Sequence, residues 1–363
     1  MMVVGPTGVG KSSLLNSLLC PARRTTEFED CHFETGRGFV SVTKHLSHVL
    51  GPWLGEPEAS AFVQVFDTAG LGDYGGLRDE DTLKSIIGMI ISEPVQAILL
   101  VFKATDLRLS ARIQRQLRTL EYILGPQLWD HVINVFTWWG FSSRDIKDRV
   151  RNCVKQRMRK FSRNLKKTRD HCHVVDFEAE KVEILREGFE KYLNVTKRIP
   201  HAFAHPLFNY ENEDEKTIFY ASAMTIYNTA RNMSALQCDA HCQRKFEMAL
   251  KSEKRTPYLL GRELQRVDSG QEINLACHLY LGMGNSTATE ISWWHNSSLL
   301  TGNILVQDQI LLDVIKESLL IIPNVTFAQA GNYGCSTTEN GQVMKSLEVT
   351  VKVLPRKYRK YKL

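Results

Sequence analysis

The chain has 363 residues, which is long enough for two domains, and its 43% hydrophobic and 24% charged content is ordinary for a globular protein. Its formal net charge of +6 is mild, so composition alone does not predict a nucleic-acid-binding protein. No run of about 18 apolar residues occurs, and we therefore expect no transmembrane helix.

A glycine-rich segment follows the apolar start of the chain and precedes a stretch with helical periodicity. It reads Gly-Pro-Thr-Gly-Val-Gly-Lys-Ser over 5–12, and this order of strand, turn and helix is the context of a P-loop. Its backbone N–H groups would surround phosphate, Lys11 would reach the outer phosphates, and Ser12 would ligate Mg²⁺. The predicted nucleotide-contacting residues of this segment are Gly5, Pro6, Thr7, Gly8, Val9, Gly10, Lys11, Ser12 and Ser13.

A β-prone run over 61–66 ends in an Asp-Thr-Ala-Gly sequence, roughly 60 residues after the P-loop. An Asp at the end of a strand, three residues before a Gly, is the second half of a nucleotide-hydrolase site. The Asp67 carboxylate would hold Mg²⁺, usually through water, and the Gly70 N–H would sense the γ-phosphate. With Ser12 and Asp67 the sequence thus predicts a magnesium site beside the P-loop.

Three segments together resemble the immunity-associated, septin-related GTPases of the IMAP family. They are residues 5–12, 33–44 and 65–71, and the most discriminating part is the Ser-Val-Thr-Lys of 41–44, which sits where that family has its first switch. The resemblance implies GTP or GDP and Mg²⁺ as cofactors, and a role in immunity. It also implies that Thr43 closes on Mg²⁺ and the γ-phosphate.

The resemblance gives a catalytic set of Lys11, Thr43 and Gly70 and a metal set of Ser12, Thr43 and Asp67. Leu71 stands where Ras-like enzymes place a glutamine that orients water. Because an apolar side chain cannot position water, we expect slow or partner-stimulated hydrolysis. The family resemblance further implies self-association through the nucleotide face.

The rest of the first 236 residues alternates helical and β-prone segments, which predicts an α/β P-loop GTPase domain with a doubly wound, mostly parallel sheet. Helices are expected over 81–91, 111–124, 178–192 and 213–232, and strands over 61–66, 95–102, 131–137 and 199–204. A helix or a helix pair is expected over 142–169. The 142–169 segment is strongly basic; a solvated helix face is favoured over a patch for anionic lipid or nucleic acid, because aromatic residues are scarce there.

The turn after the 131–137 strand is where a GTPase reads guanine, normally with a Lys or His two residues before an Asp. This chain has Thr137-Trp138-Trp139-Gly140, so the Asp is missing. Either tryptophan could stack on the base, and Thr137, Trp138 and the later Asn209 are the predicted base contacts. Stacking barely distinguishes guanine from adenine, so a P-loop ATPase stays open as an alternative.

Residues 237–257 are predicted to be a connector. Cys238 and Cys242, with His171, Cys172 and His173, could bind zinc, but their spacing is permissive and thiols at a helix end are the favoured interpretation. The sequence likewise indicates ordinary thiols at Cys20, Cys31 and Cys153.

From Tyr258 short β-prone runs alternate with turns, and we assign 258–354 to an all-β immunoglobulin-like sandwich. The order Cys277, Trp293, Cys335, with Tyr333 two residues before the second Cys, resembles an immunoglobulin domain. The resemblance implies a Cys277–Cys335 disulfide candidate and a tyrosine corner, with Trp293 inside. Gln329 replaces the Asp common in that family, which removes a turn-stabilising carboxylate. The last strand is expected over 343–353.

Two functions stay open. The first is a cytoplasmic GTPase switch or self-assembling scaffold with a recognition module for an unknown protein, contacting membrane surfaces through its basic segments, including the 355–363 tail. The second is an adhesion or immune-recognition protein whose nucleotide domain has no turnover.

The P-loop starts at residue five, so we expect no signal peptide. The Asn-x-Ser/Thr sites would then be chance, and Cys277 and Cys335 could stay reduced; these sites are Asn194, Asn232, Asn285, Asn296 and Asn324.

Overall fold

The computed structural model describes two compact units, Met1–Cys238 and Asp239–Leu363. The residues that it describes are 1–21, 31–35, 43, 46–55, 61–71, 76–107, 109–140, 143–160, 177–205, 208, 210–251, 256–260, 264–281, 289–300, 305–311, 315–339 and 341–355. None of the helices in these ranges is long and apolar enough to cross a membrane.

The first unit is organised around a six-stranded sheet. Its strands are β1 (Met2–Val4), β2 (Ser47–Pro52), β3 (Phe62–Asp67), β4 (Ile98–Lys103), β5 (Val132–Thr137) and β6 (His201–Phe203). They lie in the order β2-β3-β1-β4-β5-β6, and only the β2–β3 pair is antiparallel among these strands. The expected mostly parallel α/β fold is therefore confirmed.

The described residues of this unit include six α-helices. They are α1 (Lys11–Leu19), α2 (Gly76–Ser92), α3 (Ala111–Leu124), α4 (Ser143–Lys160), α5 (Phe177–Leu193) and α6 (Glu213–Arg231). Their ends follow local chemistry: the Ser110 hydroxyl accepts the Ile113 N–H at the start of α3, and α3 stops before Gly125 and Pro126. Of the basic 142–169 segment, residues 142 and 161–169 lie outside the described residues.

Burial of the central strands fixes where the candidate site lies. Every residue of β1 and β5 is buried, as expected for parallel strands covered on both faces. Leu14, Leu15 and Leu18 of α1 pack into the same core as Val3 and Leu99. Because parallel strands end at one edge of a sheet, the P-loop after β1, Asp67 of β3 and Thr137 of β5 come together there.

The second unit begins with a short helix, α7 (Ala240–Phe246), and continues as two β-sheets. Its strands are β7 (Tyr258–Leu260), β8 (Leu264–Asp268), β9 (Ile273–Tyr280), β10 (Ile291–His295), β11 (Ser298–Leu299), β12 (Leu305–Leu311), β13 (Ile315–Ile322), β14 (Gly331–Glu339), β15 (Gln342–Lys345) and β16 (Val349–Leu354). One sheet has the order β12-β13-β9-β7 and the other β11-β10-β14-β16-β8, with β15 also on β14. This is the expected immunoglobulin-like sandwich.

The single final strand expected over 343–353 is wrong, because this segment forms the two strands β15 and β16. Between them, the Ser346 N–H donates to the Cys335 carbonyl and the Ser346 hydroxyl accepts the Cys335 N–H, at 2.8 and 2.9 Å. A side-chain oxygen thus takes the place of a backbone acceptor, which interrupts the ladder along β14.

A disulfide and a hydrogen bond connect the two sheets at the centre of the sandwich. Cys277 of β9 and Cys335 of β14 form a disulfide, and both are buried. In the strand register Trp293 lies opposite Cys335 and Ser318 lies opposite Cys277. The Trp293 indole N–H donates to the Ser318 hydroxyl at 3.1 Å, so a hydrogen bond crosses the core beside the disulfide. Trp293 is the inward-facing tryptophan, as the strand alternation predicts.

Other cysteines depart from expectation. Cys153, Cys238 and Cys242 are each disulfide-bonded, so the prediction of ordinary thiols is wrong for all three. A sulfur held in a disulfide is not a thiolate, which removes Cys238 and Cys242 as zinc ligands. The proposed partners at 171–173 lie outside the described residues.

The corner before β14 is built without the usual carboxylate. The Tyr333 hydroxyl donates to the Gln329 carbonyl at 2.8 Å, which is the expected tyrosine corner. The Gln329 side-chain oxygen accepts the Thr326 N–H at 2.8 Å and the Thr326 hydroxyl at 2.6 Å. The expected loss of turn stabilisation is therefore wrong, because the Gln329 amide caps this turn itself.

Candidate functional site

The P-loop forms a cradle of backbone groups at the end of β1. Gly10, the residue before α1, has φ 91°, a left-handed conformation that glycine adopts without steric cost. Lys11 is buried, and its ammonium donates to the carbonyls of Gly5 and Pro6 at 3.1 and 3.0 Å. Ser13 lies in the first turn of α1, and its carbonyl accepts the Ser17 hydroxyl. The cation is thus held over the loop that would bind phosphate.

Three oxygen-bearing side chains meet beside this loop. The Ser12 hydroxyl donates to Asp67 Oδ2 at 2.6 Å, and the Thr43 hydroxyl lies 3.1 Å from Ser12 Oγ and 3.2 Å from the same carboxylate oxygen. Two hydroxyls and a carboxylate are the hard oxygen ligands that Mg²⁺ prefers, so this donor set fits the metal. The structure therefore brings together all three residues of the predicted metal set.

Burial raises the pKa of the Asp67 carboxyl, while the Ser12 hydrogen bond and the Lys11 charge act in the opposite direction. Desolvation disfavours a bare carboxylate. A cation at this position favours the ionised form, so the site is electrostatically matched to a bound metal rather than to an isolated negative charge.

The segment after Asp67 docks against the P-loop. The Leu71 N–H donates to the Gly5 carbonyl at 2.9 Å, and the Thr7 N–H donates to the Leu71 carbonyl at 3.3 Å. A Cβ on Gly70 would lie 1.9 Å from Thr7 Oγ1, so only glycine fits there. Within the described residues Thr7 Oγ1 is buried without a hydrogen-bond partner, which leaves a hydroxyl suited to a phosphate oxygen. The Leu71 side chain is buried.

Thr137 braces the P-loop rather than facing outward. Its hydroxyl donates to the Val9 carbonyl at 2.6 Å and lies 3.1 Å from the Phe102 carbonyl, and the side chain is buried. The residue thereby ties the loop after β1 to the ends of β4 and β5. Its predicted contribution to nucleotide binding is consequently exerted through the position of the P-loop backbone.

Thr137→Val keeps the side-chain volume but removes this brace and leaves the Val9 carbonyl buried without its donor. We expect Mg²⁺-GDP to bind about 5- to 10-fold more weakly, since such a hydrogen bond contributes about 1 kcal/mol. Calorimetric titration measures the change. Thr225→Val is the matched control, because the Thr225 hydroxyl bonds only its own helix at the surface. Equal affinities for Thr137→Val and the unmodified chain would contradict the bracing role.

The two adjacent tryptophans have different surroundings. Trp139 is buried, donates from its indole N–H to Glu178 Oε1 at 3.1 Å, and packs against Phe203 with the ring centroids 5.5 Å apart. Trp138 has φ 57°, is 38% exposed, and has the Lys103 ammonium 4.7 Å from its ring centroid. Trp138 is therefore the tryptophan available to support a base, while Trp139 is part of the core.

Two residues of this region were missed by the sequence reasoning. The Asn16 amide is fully buried and exchanges hydrogen bonds of 2.8 and 3.1 Å with the backbone of Phe33, which anchors the segment before Thr43. Lys103 ends the apolar strand β4. A polar residue within an apolar helix and a charge that ends a buried strand are the signals that could have identified them. Asn209, the remaining predicted base contact, lies outside the described residues.

Each of the two units matches the model of a known protein family. A family model described as "AIG1 family" matches residues 1–214, and one described as "Immunoglobulin domain" matches residues 257–353. Both resemblances drawn from the motifs are thereby confirmed. No curated protein matches the chain.

Three solved structures are similar in part. A dimerization-deficient mutant of Toc33 from Arabidopsis thaliana is 15% identical, with a TM-score of 0.40 over 65% of this chain and 86% of that one. Murine CEACAM1b is 22% identical over 27% of this chain and 44% of that one, and the tandem Ig repeats of Dlar are 17% identical over 28% and 49%. The TM-score is 0.20 for both. The chain thus spans less than half the length of the two immunoglobulin structures.

Proposed function

We propose that this chain, which belongs to the AIG1 family, is a GTP-dependent switch with slow or partner-stimulated hydrolysis that carries an immunoglobulin recognition module. GTP binding itself follows from an AIG1-type GTPase domain. The observation that carries the finer proposal is the meeting of Ser12, Thr43 and Asp67 at the P-loop. A phosphate-binding loop and a magnesium-type ligand set at one sheet edge are the parts that phosphoryl transfer requires.

Thr43 is the element that makes this site a switch. Its hydroxyl reaches both Ser12 and Asp67, although the three residues come from separate parts of the chain. In the proposed mechanism Ser12, Thr43 and Asp67 would hold Mg²⁺ when it is bound, and Thr43 would leave the site once its contact with the γ-phosphate is lost. The catalytic set is Lys11, Thr43 and Gly70, with Mg²⁺ neutralising phosphate charge when it is bound.

The chemistry of Leu71 supports slow turnover. Its side chain is apolar and buried, and its backbone is hydrogen-bonded to the P-loop on both sides. A residue in this state neither orients water nor reaches into the nucleotide cleft. Hydrolysis then depends on a group supplied from outside, either by a partner protein or by a second copy bound at the nucleotide face.

The proposed setting is cytoplasmic, where GTP is supplied, and the proposal includes contact with membrane surfaces through the basic segments. The immunoglobulin unit would bind a protein ligand, because its described residues form the packed sandwich that many cell-surface recognition domains share. A role in immunity is part of this proposal.

Calorimetry of Mg²⁺-GTP, Mg²⁺-GDP and Mg²⁺-ATP, followed by single-turnover hydrolysis, tests the proposal. We expect binding of both guanine nucleotides, weaker ATP binding, and a slow single turnover. Equal affinity for ATP and GTP would favour a P-loop ATPase instead. Binding of none of the three would overturn the switch and leave the immunoglobulin unit as the functional part.

Trp138→Ala tests whether the Trp138 ring stacks on the nucleotide base. Loss of one stacked aromatic costs about 1–3 kcal/mol, so we expect GDP affinity to fall about tenfold or more, with a similar loss for any other purine nucleotide. Tyr192→Ala is the matched control, because Tyr192 is equally exposed at 37% and also has a lysine ammonium over its ring. If the Trp138→Ala protein bound GDP as tightly as the Tyr192→Ala protein does, stacking of Trp138 on the base would be contradicted.

Disulfides favour a second candidate function, an adhesion or immune-recognition protein whose nucleotide domain has no turnover. Cys277 and Cys335 are joined, and Cys153, Cys238 and Cys242 are also disulfide-bonded. Such bonds persist in oxidising compartments. Mass spectrometry of the native protein distinguishes the two candidates: an intact Cys277–Cys335 bond with glycan on Asn285 or Asn324 supports the second, and reduced unglycosylated chains support the switch.

A further inference from the structure

At Gly140, the space that a side chain of this residue would occupy is filled by a side chain from another element. It lies two residues after Trp138, the spacing at which a GTPase places the aspartate that reads guanine. A Cβ built on Gly140 would lie 2.3 Å from Oδ2 and 2.6 Å from Cγ of Asp145. The space of a side chain at residue 140 is therefore already filled, and the group that fills it is a carboxylate.

The start of α4 is fixed against this turn. Asp145 lies in the first turn of α4 and is partly buried. One turn later, the Arg149 guanidinium donates to the Gly140 carbonyl at 2.5 Å and lies 4.3 Å from the centroid of the Trp139 ring. These contacts attach the helix to the turn after β5, so the Asp145 carboxylate has a defined place beside Gly140.

The electrostatic interactions of Asp145 indicate that its carboxylate lies near the ends of two strands. Burial lowers the pKa of His205, which follows β6, and Asp145 with Glu215 acts in the opposite direction. Burial also lowers the pKa of Arg149, again opposed by Asp145. Asp145 is thus near the ends of both β5 and β6, the two strands whose following turns were expected to hold the base.

We propose that Asp145 is the guanine-reading carboxylate of this chain, taking over from α4 the role that the turn after β5 lacks. This rests on the proposed function, because it names the specificity determinant of the same nucleotide site. Asp145 accepts hydrogen bonds from guanine N1–H and the 2-amino group, while the exposed ring of Trp138 supports the face of the base. A carboxylate has four lone-pair sites, so it can keep its interaction with Arg149 as well.

The chemistry of the bases gives this arrangement selectivity that stacking does not. Guanine presents two adjacent donors on its Watson–Crick edge, N1–H and the 2-amino group, and both point at one acceptor. Adenine presents N1 as a hydrogen-bond acceptor on that edge. A carboxylate is also an acceptor, so the two groups do not form a hydrogen bond. An acceptor-only group at residue 145 therefore favours guanine, and a site built to bond a ligand's N–H groups rejects analogues that lack them.

The first test uses the unmodified chain of 363 residues. Calorimetric titrations compare Mg²⁺-GDP with Mg²⁺-IDP, whose hypoxanthine base lacks the 2-amino group. We expect IDP to bind at least about tenfold more weakly, because one hydrogen bond to a charged acceptor is lost. Equal affinities for GDP and IDP would overturn the proposal without the need for any variant.

The second test reverses the specificity. In Asp145→Asn one acceptor becomes a donor, which no longer suits the guanine 2-amino group but suits the 2-carbonyl of xanthine. We expect GDP affinity to fall about 50-fold and XDP affinity to rise by a similar factor. Asp148→Asn is the matched control, because Asp148 lies on the same helix and pairs with Arg151 at 3.0 Å on the surface. It should bind both nucleotides as the unmodified chain does.

The outcomes separate this inference from the proposed function. A chain that prefers GDP to ATP, but keeps that preference in Asp145→Asn, overturns the role of Asp145 and leaves the GTP switch intact. A chain that binds neither GDP nor GTP overturns both. A shift from GDP to XDP in Asp145→Asn alone supports both, and a structural role of Asp145 would not produce a gain of XDP binding.

Discussion

Lys11→Ala is expected to lower the affinity for Mg²⁺-GTP at least about 100-fold. A lysine in this loop donates charge-assisted hydrogen bonds to the outer phosphates, each contributing about 1.5–3 kcal/mol, and a tenfold change in affinity corresponds to about 1.4 kcal/mol. Lys11 is already buried over the loop, with its ammonium held by the Gly5 and Pro6 carbonyls. Its position is thus prepared before nucleotide arrives, and calorimetry measures the loss directly.

Two comparisons make this result specific. Lys84→Ala removes a lysine that pairs with Asp81 on the exposed surface of α2, and it should leave GTP affinity unchanged. The thermal transition of Lys11→Ala without nucleotide should show that the variant still folds, although the hydrogen bonds from Lys11 to the Gly5 and Pro6 carbonyls are lost. A folded Lys11→Ala protein that binds GTP at the parent affinity would refute a phosphate-binding role for this loop.

The parts of the site that the sequence predicted are those whose residue types and spacing are fixed by phosphate chemistry. A P-loop needs glycines, Lys11 and Ser12 in immediate succession, so a short stretch of sequence contains the whole unit. Asp67 and Thr43 are distant in sequence, but each ends or follows a recognisable segment. The structure brings Ser12, Thr43 and Asp67 to mutual hydrogen-bonding distances, as the predicted magnesium site requires.

Base recognition was not predictable in the same way, because it depends on tertiary placement. From sequence, either tryptophan could stack on the base, and Trp138 was the predicted contact. Only the packing of Trp139 against Phe203 and the exposure of Trp138 distinguish them. Asp145 has no motif of its own, and its relation to Gly140 appears only when the start of α4 is placed against the turn after β5.

The immunoglobulin unit shows the same limit in its details. Its core pattern of Cys277, Trp293, Tyr333 and Cys335 was readable because each residue has a fixed role in that fold. The break between β15 and β16 was not readable, because no Gly or Pro interrupts the 343–353 segment and the interruption comes from one serine hydroxyl bonded to Cys335. Likewise, an amide at Gln329 replaces a carboxylate through a contact that composition does not reveal.

The Cys277–Cys335 disulfide carries the largest stability effect that we expect in the second unit. It closes a sequence separation of 58 residues, and the loop-entropy relation assigns a stabilisation of about 4 kcal/mol to a loop of that size. The double change Cys277→Ala and Cys335→Ala should lower the free energy of unfolding of this unit by about that amount. The Trp293–Ser318 hydrogen bond remains and contributes only about 1 kcal/mol, so it does not compensate.

Nucleotide distinguishes the unfolding transitions of the two units when the experiment uses the chain of 363 residues. Mg²⁺-GDP stabilises only the unit that binds it, so the transition that shifts with GDP belongs to the first unit and the other to the second. Denaturant titration followed by intrinsic fluorescence should then show the second transition at a lower midpoint in the double variant, with the first unchanged. Cys20→Ala, which removes a free thiol from the first unit, should leave the second transition where it was.

Reduction of the unmodified chain provides the same comparison without mutation. A strong reductant should bring the second transition of the parent to the position of the double variant measured under the same reducing conditions, which also break the disulfides of Cys153, Cys238 and Cys242 in both proteins. A second transition that is identical in parent and double variant under oxidising conditions would mean that the bond contributes nothing to stability. The hydrogen-bonded core around Trp293 would then hold the two sheets together without it.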